Sequence, residues 1–101
     1  MNTDMICPRH KEKHRSEDEV RALQNRLSRI EGQVRGIRGM IDKDAYCTDI
    51  LTQISATTAA LNALSRELLD AHVRTCVADG IREGRDEVID ELMDTLRKMS
   101  R

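Results

Sequence analysis

The chain has 101 residues, and Tyr46 is its single aromatic residue. Its apolar residues are Leu, Ile, Val, Ala and Met, which suit helix packing, and no alternating run of β-branched residues indicates a strand. A small helical chain buries little surface alone, so we expect it to oligomerise. No apolar run is long enough to span a membrane, which argues against a membrane protein.

The start of the chain is polar and charged. We expect residues 1–15 to form a mobile tail ahead of a single helical domain, residues 16–101. Cys7 and His10 in this tail are either an accessory pair of metal ligands or part of a disordered segment. No segment resembles a secretory signal, so we expect a cytoplasmic protein whose three cysteines are reduced and serve as ligands or reactive groups.

The charge is unevenly distributed, although the formal net charge is only −1. Residues 9–38 contain nine Lys or Arg and five Asp or Glu, a net charge of +4. Residues 39–101 contain eight and twelve, a net charge of −4, and Asp4 accounts for the remaining −1. A basic segment of this kind fits a phosphate-binding face, although an ordinary solvated helix gives similar counts.

The first predicted helix begins at Ser16. Ser16 and Glu19 match the capping box, in which each side chain satisfies a backbone N–H of the other residue. Asp42, Lys43 and Asp44 mark its end. Apolar residues recur between these limits at spacings of three and four, which is typical of a helix: Val20, Leu23, Leu27, Ile30, Val34, Ile37 and Ile41.

Two further helices are predicted. The second begins near Tyr46 and ends near Asp79, and Gly80 and Gly84 bracket the break that follows. The third covers about residues 85–98. Its start is acidic and its end is basic, as the helix dipole favours. Its apolar residues are Val88, Ile89, Leu92, Met93 and Leu96.

Three candidate metal ligands lie on the second helix. Residues 47–76 contain no proline or glycine. At roughly 100° per residue, Cys47, His72 and Cys76 fall within about 40° of one another on the helix wheel. Cys47 and Cys76 are 29 positions apart, which is roughly 43 Å at a rise of about 1.5 Å per residue. One unbroken helix therefore cannot bring Cys47 to His72 and Cys76, whereas two antiparallel copies can. A kink near Ser55 or Ser65 would remove this argument for a site shared by two chains.

Two thiolates and an imidazole are a soft donor set. Such a set favours Cu(I) or Zn(II), and three ligands suit trigonal Cu(I), whereas Zn(II) usually takes a fourth. The alternatives are buried core residues or a reactive pair of Cys47 with His72 from another chain. No oxyanion-hole motif or substrate pocket is recognisable, so we expect neither an enzyme nor an organic substrate.

Three segments of the sequence resemble a known family. They are residues 25–37 (NRLSRIEGQVRGI), 46–56 (YCTDILTQISA) and 72–79 (HVRTCVAD). Together with the Cys-x24-His-x3-Cys spacing, they resemble the copper-sensing operon repressors within the CsoR/RcnR family of bacterial transcriptional regulators. The resemblance covers nearly the whole chain, from about Ser16 to Leu96.

The resemblance implies an all-α fold with three helices per chain. Two chains would form an antiparallel four-helix-bundle dimer, and two dimers would pair into a tetramer. It implies a Cu(I) site in which Cys47 of one protomer joins His72 and Cys76 of the other, in agreement with the length argument. Tyr46 and Glu91 match positions that link this site to the third helix, although residues 84–91 are about one residue shorter than in some relatives.

The resemblance also implies a function in transcription. The metal-free repressor would bind operator double-stranded DNA, and Cu(I) would release it. Arg26 and Arg29 match basic positions linked to DNA contact in the family. No segment resembles a helix-turn-helix, so the basic helix face is the DNA-binding feature that the sequence indicates.

Sister sensors remain alternatives. Persulfide sensors of this family have cysteines at both positions but no histidine at position 72, and formaldehyde sensors lack the second cysteine. Nickel or cobalt sensors add a ligand near the start of the first helix, where this chain has Arg15, with His14 one residue away. A helical metal-binding protein without a DNA role would bind copper with no effect on DNA.

Overall fold

The computed structural model describes residues 15–100. The predicted tail ligands Cys7, His10 and His14 lie outside this range. Within it, no residue is in a strand, which confirms the predicted all-α class. None of the helices in this range is long and apolar enough to cross a membrane. The elements in chain order are α1 (Glu17–Asp42), α2 (Cys47–His72), a π-helical turn (Val73–Val77), α3 (Ala78–Arg82) and α4 (Glu87–Met99).

The start of α1 is fixed by the predicted capping box. The Ser16 hydroxyl accepts a hydrogen bond from the Glu19 backbone N–H at 3.1 Å. The Ser16 backbone N–H donates to the Glu19 carboxylate at 2.7 Å. Two N–H groups that a helix start leaves unsatisfied thus find partners, which explains why α1 begins at Glu17.

The end of α1 is closed by a left-handed residue. Asp44 has φ 56°. Its N–H donates to the Ile41 carbonyl at 3.1 Å, and the Ala45 N–H donates to the Met40 carbonyl at 2.9 Å. This pair of bonds is the Schellman motif, which usually places glycine at the left-handed position and tolerates Asp less well.

Gly80 and Gly84 have different roles, although the sequence predicts a break between them. Gly84 has φ 76° and closes α3, with the Arg85 N–H donating to the Gly80 carbonyl at 2.8 Å. Gly80 lies inside α3 and is buried. A Cβ atom on Gly80 would lie 2.6 Å from Cγ1 of Val88. Gly80 therefore allows the close approach of α4, and the helical run extends to Arg82, three residues beyond its predicted end.

The described chain divides into two compact units, residues 15–67 and residues 68–100. Ile30, Thr57 and Leu64 are buried in the first unit. The Thr57 hydroxyl donates to the Gln53 carbonyl at 2.9 Å, so this buried polar group is satisfied. In the second unit the buried side chains are Cys76, Val77 and Val88.

The apolar residues of α1 separate into two lines. Ile30 is buried, and Leu23 and Ile37 are partly buried. Leu27, Val34 and Ile41, spaced by seven residues, are 43%, 51% and 60% exposed. In α2 of the same unit, Leu51, Ile54 and Leu61 are likewise exposed. The unit therefore has apolar surface that its own residues do not cover.

Candidate metal centre

Cys47 is the first residue of α2 and is exposed. The helix starts there because the N–H groups of Asp49 and Ile50 both donate to the carbonyl of Tyr46, at 3.0 and 3.2 Å. The Cys47 side chain shares the exposed apolar side of α2 with Leu51 and Ile54, since their spacings are four and three residues. A second molecule that covered this apolar side would therefore also contact Cys47.

His72 directly precedes an irregular helical segment, and Cys76 lies within it. His72 is the last residue of α2 and is partly buried, whereas Cys76 lies within the π-helical turn and is 4% exposed. The Thr75 hydroxyl donates to the Ala71 carbonyl at 2.8 Å, a local bond that bends helices. Single π-helical turns within helices occur frequently at functional sites.

The π-helical turn was not predicted from the sequence. The positions on the helix wheel require regular α-helix from Cys47 to Cys76, and the structure has regular α-helix only as far as His72. The rotation between His72 and Cys76 therefore differs from the value that the wheel gives. No proline or glycine marks this segment, so the sequence carries no simple signal for it.

Within residues 15–100 of one chain, the candidate metal ligands do not form a cluster. Among residues 15–100, no three side chains of His, Cys, Asp or Glu are close enough together to hold a metal ion. Tyr46 is 72% exposed. Glu91 is exposed on α4, and its backbone carbonyl accepts a hydrogen bond from the Thr95 hydroxyl at 3.0 Å.

The two predicted DNA-contact residues have different surroundings. Arg26 forms an ion pair with Glu67 of α2. Arg29 is exposed on α1, one turn further along, and forms no ion pair with a carboxylate of residues 15–100. Glu67 is 41 positions from Arg26, so no local pattern in the sequence predicts this pair.

Known proteins similar to this chain identify its family. Residues 19–98 match the family described as metal-sensitive transcriptional repressor. The chain belongs to this family. It is 48% identical over 89 residues to the copper-sensing transcriptional repressor CsoR of Bacillus subtilis, a match that covers 87% of this chain and 88% of the relative.

Two solved structures of metal-responsive regulators share the fold. The Cu(I)-bound copper-sensing repressor CsoR of Geobacillus thermodenitrificans superimposes with a TM-score of 0.82 at 45% identity, over 86% of this chain and 92% of that one. The nickel-responsive transcriptional regulator InrS superimposes with a TM-score of 0.71 at 34% identity, over 84% of this chain and 97% of that one. The solved structures similar to this chain are thus named for two different metals, copper and nickel.

Proposed function

We propose that this chain is a copper(I)-responsive transcriptional repressor of the bacterial cytoplasm. The observation that carries the proposal is the donor set Cys47, His72 and Cys76, two thiols and an imidazole without a carboxylate. This set suits Cu(I), which prefers soft thiolate ligands. The relatives named as copper-sensing repressors support the same metal.

The proposed site joins two protomers. Cys47 of one protomer binds the metal with His72 and Cys76 of its partner, and symmetry gives two equivalent sites per dimer. The chain is α-helical at Ser55 and Ser65, the positions where a kink would undo the length argument for two chains. The exposed apolar side of α2 beside Cys47 supports contact with a second copy at this position.

The proposed response connects the metal to α4. By resemblance to the family, we assign Tyr46, which directly precedes Cys47, and Glu91 of α4 to the surroundings of the metal rather than to its ligands. Metal binding fixes donors from two protomers in one geometry. The basic faces of the protomers then no longer match the spacing of DNA phosphates. A coupling of about 5-fold to 150-fold in affinity is typical of such linkage.

The proposed DNA interface is the basic face of α1 with Arg26 and Arg29. Phosphate contacts supply most of the affinity of such an interface, so binding weakens steeply with salt. Linkage is reciprocal, so DNA must weaken Cu(I) binding by the factor by which Cu(I) weakens DNA binding. A homotetramer of paired dimers would present several copies of this face to one operator.

The deciding experiment is a metal titration of the protein–DNA complex. Reduced full-length protein is bound to a fluorescent duplex from the region upstream of its own gene, without oxygen. Anisotropy is followed during parallel additions of Cu(I), Ni(II) and Zn(II). Release by Cu(I) alone, near one ion per protomer, is the expected result. Absence of DNA binding in every metal state would leave a helical metal-binding protein and reject the repressor function.

A nickel sensor is the second candidate, because InrS shares the fold at 34% identity. In that case Ni(II), a metal that accepts imidazole ligands, would release the DNA. The additional ligand would come from His14, His10 or Cys7. Release by Ni(II) that disappears in His14→Ala, while Cu(I) has no effect, would establish this alternative. The histidine at position 72 argues against a persulfide sensor.

A further inference from the structure

The ion pair between Arg26 and Glu67 connects α1 to α2 within the unit of residues 15–67. The two residues are 41 positions apart, so the packing of the two helices creates the pair. By contrast, the pair of Arg74 with Asp70 joins neighbours within one helical turn. The Glu67 carboxylate of α2 thus faces Arg26, a side chain that we propose contacts DNA.

In this arrangement the Glu67 carboxylate and a DNA phosphate can each bind the Arg26 guanidinium. Arginine binds both groups through the same planar set of N–H donors, and each prefers to take two of them. A guanidinium that is paired with Glu67 contributes little net charge to attract DNA. The Arg26 and Glu67 side chains are 29% and 53% exposed. Water and ions therefore reach the pair, and Arg26 can exchange partners without unfolding of the chain.

We propose that Glu67 competes with the DNA backbone for Arg26 and so weakens the complex of the metal-free repressor with DNA. When a phosphate takes Arg26, the displaced carboxylate stays close to the polyanion and is repelled by it. Glu67 is thus a residue that sets operator affinity without contacting DNA itself. This inference rests on the proposed function, since it requires that the chain bind DNA.

Glu67→Gln is the variant that tests the competition, because it removes the charge and keeps the shape of the side chain. Full-length, reduced, metal-free protein is titrated against the fluorescent upstream duplex at several salt concentrations. We expect binding to be about twofold to fivefold tighter than for wild type, the range for an exposed ion pair. The salt dependence should become steeper, because one more guanidinium per protomer is available to neutralise a phosphate.

Asp70→Asn is the matched control. It removes the same charge from a nearby position of α2 and breaks the exposed pair with Arg74 instead. Its affinity for the duplex should stay closer to that of wild type. An equal gain in both variants would assign the effect to net charge alone and overturn the competition.

Arg26→Ala in both backgrounds tests whether Glu67 acts through Arg26. Competition predicts a larger decrease of DNA affinity in the Glu67→Gln background, because there the guanidinium has no carboxylate partner on α2. Equal decreases in the two backgrounds would overturn the proposal. Far-ultraviolet circular dichroism of each variant confirms that the helices are retained.

The remaining outcomes separate this inference from the proposed function. If wild type binds DNA and releases it with metal, but Glu67→Gln binds no more tightly, the inference alone is rejected. Weaker binding by Glu67→Gln would indicate that Glu67 instead holds Arg26 in place for DNA. If neither protein binds DNA at low salt in any metal state, the repressor function and the inference are both rejected. Binding by Glu67→Gln alone would support the competition most directly.

Discussion

Arg26 and Arg29 are neighbours on α1, but different groups face them. Arg26 has a carboxylate partner and Arg29 has none within residues 15–100. The sequence predicts the shared face of the two residues, because their spacing of three follows from helix geometry. It could not predict the pairing of Arg26, because that depends on how α1 and α2 pack together. Side-chain position is thus predictable within a helix, whereas partners across helices are not.

Removal of Arg29 should weaken DNA binding directly. For Arg29→Ala we expect a lower affinity for the upstream duplex and a salt slope reduced by about 0.9 for each phosphate that the protein no longer neutralises. Anisotropy titrations at four salt concentrations measure both quantities. Arg97→Ala, which removes the same charge from an ion pair on α4, is the control and should leave the slope unchanged. An unaltered slope in Arg29→Ala would place the DNA face elsewhere.

His72 is the proposed ligand that lies next to the π-helical turn. His72→Ala should keep the DNA affinity of the metal-free protein, because His72 is not on the basic face of α1. It should abolish release by Cu(I), and with it the typical coupling of about 5-fold to 150-fold. The measurement is the Cu(I) titration of the DNA complex, with Ser65→Ala as a control variant on the same helix. Release at wild-type copper concentrations would show that His72 is not required for the response.

At the scale of helices, the sequence predicts ends better than irregular interiors. The capping box at Ser16 and the turn at Asp44 depend on local residue chemistry, so both could be located in advance. The π-helical turn of Val73–Val77 has no marker residue. Gly80 was misassigned to a break because its role depends on Val88, eight positions away. Contacts between elements, rather than local preference, decide such features.

The contact of α3 with α4 at Gly80 predicts that an added methyl group there would lower the stability of the chain. Gly80→Ala would place Cβ 2.6 Å from Cγ1 of the buried Val88, so the Val88 side chain or the backbone that carries it must shift. Overpacking of this kind costs about 1–3 kcal/mol, against about 1 kcal/mol gained in helix propensity. We expect a net decrease in stability of up to about 2 kcal/mol, measured as a lower midpoint of urea unfolding.

Val88→Ala tests whether this contact causes the decrease. In the Val88→Ala background, Gly80→Ala should cost little or become stabilising, because the methyl group then has room. Equal costs of Gly80→Ala in both backgrounds would indicate that the glycine is needed for a reason other than α4.

At the scale of the whole molecule, exposed apolar residues indicate a missing partner. Leu27, Val34 and Ile41 form one exposed line on α1, and Leu51 and Ile54 lie on the exposed side of α2. Scattered exposed apolar residues are ordinary, but lines at helical spacing favour a helix-packing interface. The small size of the chain predicts a second copy, and the exposed apolar lines of α1 and α2 are the surfaces that we expect such a copy to cover. Cys47 lies beside one of them.

Mixed assemblies can distinguish a site shared between two chains from a site within one chain. Cys47→Ser and Cys76→Ser each remove one ligand, so neither variant alone should bind Cu(I) at the site. In a mixed dimer with shared sites, Cys47 of the second variant meets His72 and Cys76 of the first, and one complete site is restored. Each mixed dimer has one complete site of two, so purified mixed dimers should bind about half as much copper as the wild-type dimer.

The experiment requires dimers that contain one copy of each variant. Co-expression of the two variants with different affinity tags yields the mixed dimers, and a Cu(I) competition titration with a chromophoric chelator measures their capacity. The doubly substituted chain Cys47→Ser/Cys76→Ser, co-expressed with wild type, is the control, because its mixed dimers contain one substituted position in each shared site. A site within one chain would reverse the two results. The single-variant mixture would then bind no copper, and the control would keep half of its capacity in every mixed dimer.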